Sequence, residues 1–461
     1  MRLKIIILFI ATCLLVPYDY AQVQIEAPLK EAIWDAIDKS FEVQNKSLEM
    51  KKIEEERKSV WNKYVPKVNA SASYLYTHSD VTIDFPTGVI PLFNIPIFEG
   101  KAHSESYGNI FHAGINAKTV LFSGFQIENG AKALEEKKKA TAYLTEAEKE
   151  KLVTEVIQSF DQLHVLNAVD KLLEESKNRL DVENNRVERA IKEGLTIPYD
   201  REKIKLASLE LESKQIEMEG KRNLLYQKIY YLTGYNKEEV EQVIYQLQPY
   251  TLNEDLTIEN KQELKALESF KNATDYLIKK EKGSYLPVLG AFGSLNYASL
   301  FNAGVKTNEI AGRNIPLHAK INEFTLGPNW MLGVSMQWEI FGGFERKNKV
   351  KMAEIQSRQI ENQLNDTKEK LELLLANNLT NYKIQNKVYQ NNIEKEHIAE
   401  KNLFMATRQY QEGLISISER LEAENDFFKA STEKIESLMQ QRKTALEALS
   451  ATGDLMQIIS K

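Results

Sequence analysis

Histidines are the side chains in this sequence best suited to metal or acid–base chemistry, and the six of them are scattered, at positions 78, 103, 112, 164, 318 and 397. His78, His103 and His112 flank one connecting segment and invite a metal reading. A transition-metal site needs donors at a defined spacing, frequently with thiolates among them. No cysteine accompanies these histidines and their spacing follows no ligand pattern, so they read as solvated loop residues. No Gly-rich phosphate loop, nucleophile elbow or paired-acid motif occurs. The expectation is a protein that is not an enzyme and carries no cofactor and no metal.

The remaining polar residues must serve an architecture. The chain has 461 residues, 43% hydrophobic and 27% charged, as a folded protein has. Its formal net charge is −6 with both signs interspersed, which leaves no basic footprint and predicts no nucleic-acid partner. Met1 to Lys4 is basic, and Ile5 to Val16 is apolar. That combination reads as a secretory signal, residues 1–21, cleaved after Ala21. A buried first helix and a lipoprotein signal ending at Cys13 are the alternatives. Cys13 is the only cysteine, so a mature chain would hold no disulfide. Beyond the signal no apolar run reaches the ~18–20 residues of a membrane-spanning helix.

Four landmarks occur twice in the same order. Tyr64-Val65-Pro66 returns as Tyr285-Leu286-Pro287, and Phe122-Ser123-Gly124-Phe125 as Phe341-Gly342-Gly343-Phe344. Glu193-Gly194-Leu195 returns as Glu412-Gly413-Leu414, and Leu232-Thr233-Gly234 as Ala451-Thr452-Gly453. Such order predicts two structural repeats, residues 22–240 and 241–461.

Each repeat predicts a helix, a strand pair, a long helix, a sharp break and a return helix. Leu29 to Asn62 reads as helix until Pro66 breaks it. The period then becomes two. Val68, Ala70, Ala72, Tyr74 and Tyr76 form one apolar face; Phe111, Ala113, Ile115 and Ala117 form another. Leu289, Ala291, Gly293, Leu295 and Tyr297, then Leu332, Val334, Met336, Trp338 and Ile340, repeat the pattern. The expected strands are about 67–78, 109–121, 287–298 and 330–341. Each alternates as an outer-membrane strand does, and equally as a half-buried soluble strand does. Connectors of about 79–107, with Pro86, Pro91 and Pro96, and about 299–329 read as loops.

After Gly124 and again after Glu345 the chain reads as helix for nearly 70 residues, rods of roughly 100 Å. Leu166, Leu173, Leu180 and Val187 recur every seven residues, as do Leu364 and Leu371, then Leu375, Tyr382 and Tyr389. Gly194 and Gly413 end the rods, and Thr196 and Ser416 are the expected N-caps of the return helices. Four strands cannot close a barrel, and an open edge cannot sit in lipid. Three chains would supply twelve strands, with outer-membrane lipid against the apolar faces. Trp330, Trp338, Tyr76 and Tyr297 would then mark an interfacial belt near the strand ends.

The chain resembles the TolC-type outer-membrane efflux proteins over nearly its whole mature length. The resemblance rests on Tyr-Xaa-Pro at each helix-to-strand junction, Phe-Xaa-Gly-Phe at each strand-to-helix junction, the stretches Arg189 to Leu195 and Arg408 to Leu414, and Thr-Gly near each repeat end. It implies an α+β homotrimer, a twelve-stranded β-barrel in the outer membrane continuous with a coiled-coil helical tunnel in the periplasm, and a mixed equatorial domain to which residues 235–255 contribute. It implies passive export of substrate delivered by an inner-membrane pump, of the resistance-nodulation-division or ABC type, through a periplasmic membrane-fusion adaptor. The family docks its adaptor at helix tips matching Gly194, Leu195, Gly413 and Leu414; the plain alternative is a C-cap glycine with a packed leucine. Glu419 and Glu422 fall where the family places aspartates that close the periplasmic aperture, or else they are two solvated helix acids. Asp200 and Tyr410 match an inter-hairpin latch, whereas Ile415 replaces its arginine, so that ionic link should be missing. The rival reading is a periplasmic coiled-coil scaffold or adhesin without a pore, which gives the alternating segments no role.

Overall fold

The computed structural model describes residues 25–90, 92, 95–253, 255–307 and 316–460, so the signal segment 1–21 and Cys13 lie outside the described residues. The chain divides into two compact units, each drawing on both halves of the sequence. One comprises Ile53–Glu135 and Asn272–Ser357; the other takes the chain up to Lys52, Glu136–Lys271 and everything from Arg358 on.

The first unit contains a sheet of four antiparallel strands in sequence order: β1 (Lys67–Ile90), β2 (Ile95–Phe122), β3 (Val288–Thr307) and β4 (Leu317–Gln337). Directly paired residues share a face, so the register tests whether the four alternations agree. They do. Val68 pairs with Ala117, Ala117 with Gly293, and Gly293 with Leu332. The next row runs Ala70, Ile115, Leu295, Trp330. The opposite face carries Asn69, Asn116, Ser294 and Met331 in one row and Ser71, Gly114, Asn296 and Asn329 in another. Near the helix junctions one apolar face therefore crosses all four strands; farther out the contrast fades, with Asn109 and Glu323 on that face and an apolar row of Leu75, Ile110, Leu300 and Phe324 on the other. Among the described residues β1 and β4 are each paired on one side only, and β4 is exposed along nearly its whole length.

The strands run well past the expected ends on the side of the connectors, whereas β4 stops at Gln337, short of the expected 341, and leaves Trp338 and Ile340 outside it. The segments read as loops continue the ladder, because polar side chains pair across it. Ser79 and Ser106 hydroxyls lie 2.9 Å apart, and Thr82 Oγ1 is 3.1 Å from His103 Nδ1. Tyr76, Tyr297 and Trp330 consequently stand inside strands rather than near their ends. Trp338 falls just beyond β4 and donates to the Tyr285 carbonyl at 3.0 Å.

The duplicated motifs have duplicated geometry. Gly124 and Phe125 both take positive φ (65° and 63°), as do Gly343 and Phe344 (59° and 68°). Phe122 meets Phe125 edge-on at 5.2 Å, and Phe341 meets Phe344 at 5.6 Å. A Cβ at Gly124 would come within 2.4 Å of the Gly283 carbonyl, so glycine is required there twice over, by φ and by backbone contact.

The helices are α1 (Ala27–Lys39), α2 (Phe41–Trp61), α3 (Gln126–Lys192), α4 (Pro198–Thr233), α5 (Lys237–Gln242), α6 (Gln262–Gly283), α7 (Glu345–Gln411), α8 (Ile417–Thr452) and α9 (Leu455–Ser460). The helix expected from Leu29 to Asn62 breaks at Ser40, whose hydroxyl accepts from Val43 N at 3.4 Å. α3 and α7 each have 67 residues, and α4 and α8 each have 36. α4 and α8 end at Gly234 and Gly453, both left-handed (φ 90° and 82°).

In the helical unit the α3 heptad residues Leu166, Leu173, Leu180 and Val187 are all buried. The α7 seam is less covered: Leu375 is buried, whereas Leu364, Leu371, Tyr382 and Tyr389 are half-buried and Leu373 and Phe404 are exposed. The main core packs Leu29, Ile33, Ile157, Phe160, Ile229, Leu446 and Leu455 against Val240, Tyr245 and Tyr250 from the segment between the repeats. A buried polar network holds that segment. Arg442 donates to both Asp161 oxygens (2.7 and 2.9 Å), to Tyr250 Oη (2.6 Å) and to the Gln248 carbonyl (2.7 Å). Tyr245 donates to Asp161 at 2.7 Å, and Gln441 binds both backbone groups of Tyr250. His164 meets Tyr245 edge-on with ring centres 4.1 Å apart, and burial holds its imidazole below the usual histidine range.

Candidate functional site

The sequence-predicted site residues all fall in the helical unit, at the turns joining α3 to α4 and α7 to α8. Each turn closes with the same pair of backbone bonds. Leu195 N donates to the Ala190 carbonyl at 2.8 Å and Gly194 N to that of Ile191 at 3.1 Å. Leu414 N donates to Gln409 at 2.9 Å and Gly413 N to Tyr410 at 3.1 Å. This is the six-to-one, five-to-two closure of a Schellman cap, and it requires the left-handed conformation seen at Gly194 (φ 68°) and Gly413 (φ 70°). In most such caps the residue after the glycine folds back on the helix. Here Leu195 is 76% exposed and Leu414 73% exposed, so neither leucine packs within the chain.

The two return helices begin differently. α8 opens with Ser416 in a full capping box. Glu419 N donates to Ser416 Oγ at 3.3 Å, and Glu419 Oε2 accepts from Ser416 N and Oγ, both at 2.8 Å. Those bonds to the Ser416 backbone and hydroxyl hold the Glu419 carboxyl below its usual range. In α4 the N-cap is Ile197, not the expected Thr196, because Pro198 takes the first helical position. Thr196 instead donates to Asp200 at 2.5 Å.

Beneath the turns, Leu180 and Val187 of α3, Ile204 of α4 and Ile417 of α8 form one small core against which Tyr410 of α7 packs. Both hairpins are therefore tied together inside one chain. Burial raises the Tyr410 phenol above its ordinary value, with the charges of Glu183 and Asp200 adding to it. Asp200 thus stands near Tyr410, although among the described residues no hydrogen bond joins them. Glu422 lines a cavity of about 370 Å³ together with Leu206, Lys214, Glu424 and Phe428.

Arg420 is a residue that sequence reading missed. It follows Glu419 directly, is 1% exposed, and pairs with Glu424 at 3.0 Å, which also takes Arg179 at 2.9 Å. Acids and bases at i,i+4 read as a solvated face, so nothing in the sequence signalled its burial. His78 and His103 occupy strand positions: His78 Nδ1 is 3.7 Å from Glu105, and His103 faces Thr82. Among the described residues no three His, Cys, Asp or Glu side chains converge as a metal site would require.

Comparison with known proteins defines the class. Residues 255–453 match the family described as "Outer membrane efflux protein". No curated protein matches the sequence. The fold is that of solved outer-membrane channels. The CmeC channel of Campylobacter jejuni aligns with TM-score 0.69 at 16% identity, covering 93% of this chain and 86% of that one. VceC of Vibrio cholerae gives 0.69 at 15% identity, covering 93% and 96%. The MtrE channel of Neisseria gonorrhoeae gives 0.66 at 14%, covering 92% and 89%. Residues 255–453 thus resemble the outer-membrane efflux proteins, and the whole chain has the fold of solved outer-membrane channels. Both comparisons point to an outer-membrane efflux channel component, and the four-stranded sheet and long helices of this chain match the architecture of those channels.

Proposed function

We propose that the chain acts as a homotrimer in which four strands from each subunit close one twelve-stranded barrel, giving passive export of substrate across the outer membrane. The observation that carries this is the sheet: an apolar face shared by all four strands near the helix junctions, together with two long edges, β1 and β4, that no described strand of the same chain covers. Lipid offers no partner to a bare edge, so such a sheet in a membrane must be completed by another copy. A pore-free scaffold would leave this sheet without a role. The exposed apolar residues of α7 fit the same assembly, as contacts to a neighbouring subunit.

In this reading residues 22–240 and 241–461 are two repeats of one unit. Gly194, Leu195, Gly413 and Leu414 receive a periplasmic adaptor, which links the channel to an inner-membrane pump. Leu195 and Leu414 supply apolar side chains that are largely exposed, as a docking tip needs. Glu419 and Glu422 ring the aperture, Glu422 supplying the freer carboxylate because Glu419 caps α8. Asp200 and Tyr410 form the latch across neighbouring hairpins. The channel supplies no catalysis. The test is detergent-purified mature protein in light scattering and planar bilayers. Trimers with a defined conductance are expected; a water-soluble monomer without lipid affinity overturns the proposal.

A further inference from the structure

Across residues 67–79, 108–122, 288–300 and 325–337, the ends of the four strands nearest the helix junctions, the sequence contains no aspartate or glutamate and only two charged side chains, Lys67 and Lys118. The register sets those two directly opposite each other on neighbouring strands. Like charges so placed destabilise a sheet. Lys63 joins them on the wall of a cavity of about 580 Å³, whose lining also includes Phe292 and Ser335. Lys118 pairs with Phe292, which pairs with Gly333, so the lysine row belongs to the polar face of the sheet and not to the apolar one. Phe292 lies over Gly333, where a Cβ would come within 2.6 Å of the ring. Among the described residues none of the three lysines has an ion-pair partner, and all three are exposed. Three cations, two of them directly opposed and with no acid on the neighbouring strand ends, concentrate positive charge on this face.

We propose that Lys63, Lys67 and Lys118 form an anion-binding station for solutes bearing phosphate or carboxylate groups, with Phe292 as an apolar wall for the rest of the molecule. Its place in an export path rests on the trimeric channel proposed above, in which the polar face lines the lumen and three copies encircle it; binding itself does not depend on that reading. A membrane headgroup is the wrong occupant, because lipid meets the opposite face.

The probe is inorganic tripolyphosphate, titrated calorimetrically into the full-length protein in neutral detergent at low salt. K63Q/K67Q/K118Q is expected to bind at least about tenfold more weakly than wild type, and the corresponding triple arginine variant to retain binding. Wild-type binding should also fall as salt screens the cluster. Equal affinity in wild type and the glutamine variant, or no binding by wild type, overturns the proposal. K67Q alone guards against misfolding of the triple variant: relieving the like-charge pair should raise the thermal midpoint while weakening binding. A lowered midpoint together with unchanged binding would assign these lysines a structural role and refute the station. In bilayers the probe should reduce wild-type conductance but not that of the glutamine triple. Binding by wild type without any conductance would retain the site and refute the channel reading instead.

Discussion

The network around Arg442 offers a sharp test of how this fold is held together. The Asp161 and Arg442 side chains are 3% and 4% exposed, and the guanidinium uses three of its nitrogens on Asp161, Tyr250 Oη and the Gln248 carbonyl. Arg442→Met leaves the Asp161 carboxylate buried with only the Tyr245 hydroxyl as a described side-chain donor. Asp161→Leu leaves the guanidinium charge with neutral acceptors. Removing one member of a buried pair costs about 3–5 kcal/mol, whereas replacing both with apolar groups is often near neutral. The effect should appear in residues 243–261, which the network ties to α3 and α8. Because that segment contains Tyr245, Leu247, Tyr250 and Leu252, chymotrypsin reports its opening. At tenfold per 1.4 kcal/mol, each single variant should raise the cleavable population by about two to four orders of magnitude. The double variant Asp161→Leu/Arg442→Met should return most of the way to wild type. Single variants cleaved as slowly as wild type, or a double variant worse than either single, would refute the account.

Further outcomes follow from the turns and buried groups. Gly413→Ala meets no atom within 4 Å, so its cost comes from φ alone: about 1–2 kcal/mol, seen as faster amide exchange at Gly413 and Leu414. Ser416→Ala should cost about 1 kcal/mol of local helix stability, read by exchange in the first turn of α8. Because the Glu419 carboxyl is depressed below 4.5, its contribution is complete above that pH and is lost as pH falls through the lower folded value; Glu419→Ala should abolish that acid-side loss in an exchange titration of the same turn. Glu150 behaves oppositely: burial raises it to about 6 although Lys261 lies 3.3 Å away, so the folded state holds the proton more tightly. Stability should fall between about pH 4.5 and 6 and then level off, and Glu150→Gln should flatten that segment of the thermal-midpoint profile. Replacing both Glu419 and Glu422 with alanine should weaken block of conductance by divalent cations in bilayers; unchanged block would remove them from the aperture.

The division between sequence and tertiary structure follows the range of the interactions. Helix tips, C-caps and the strand alternation are local: a glycine forced to positive φ, or a period of two, is written in a few consecutive residues. Gly194 and Gly413 were legible for that reason, as were the four apolar faces; Gly234 and Gly453 stood out in the sequence only as repeated landmarks, and the structure makes them helix caps. Even some local features escaped, because two local signals competed. Ser40 capped a new helix inside an apparently unbroken one, and Pro198 displaced Thr196 as the cap of α4. The strands outran their expected ends because polar pairs such as Ser79 with Ser106 exist only once two segments meet. That the four alternations share one face depends on register, which no single strand encodes. The same holds for Asp161 with Arg442, nearly three hundred positions apart, and for Lys67 beside Lys118. Each of these residues alone reads as a solvated charge. Only pairing and burial decide which of them hold the fold and which are left with an uncompensated field.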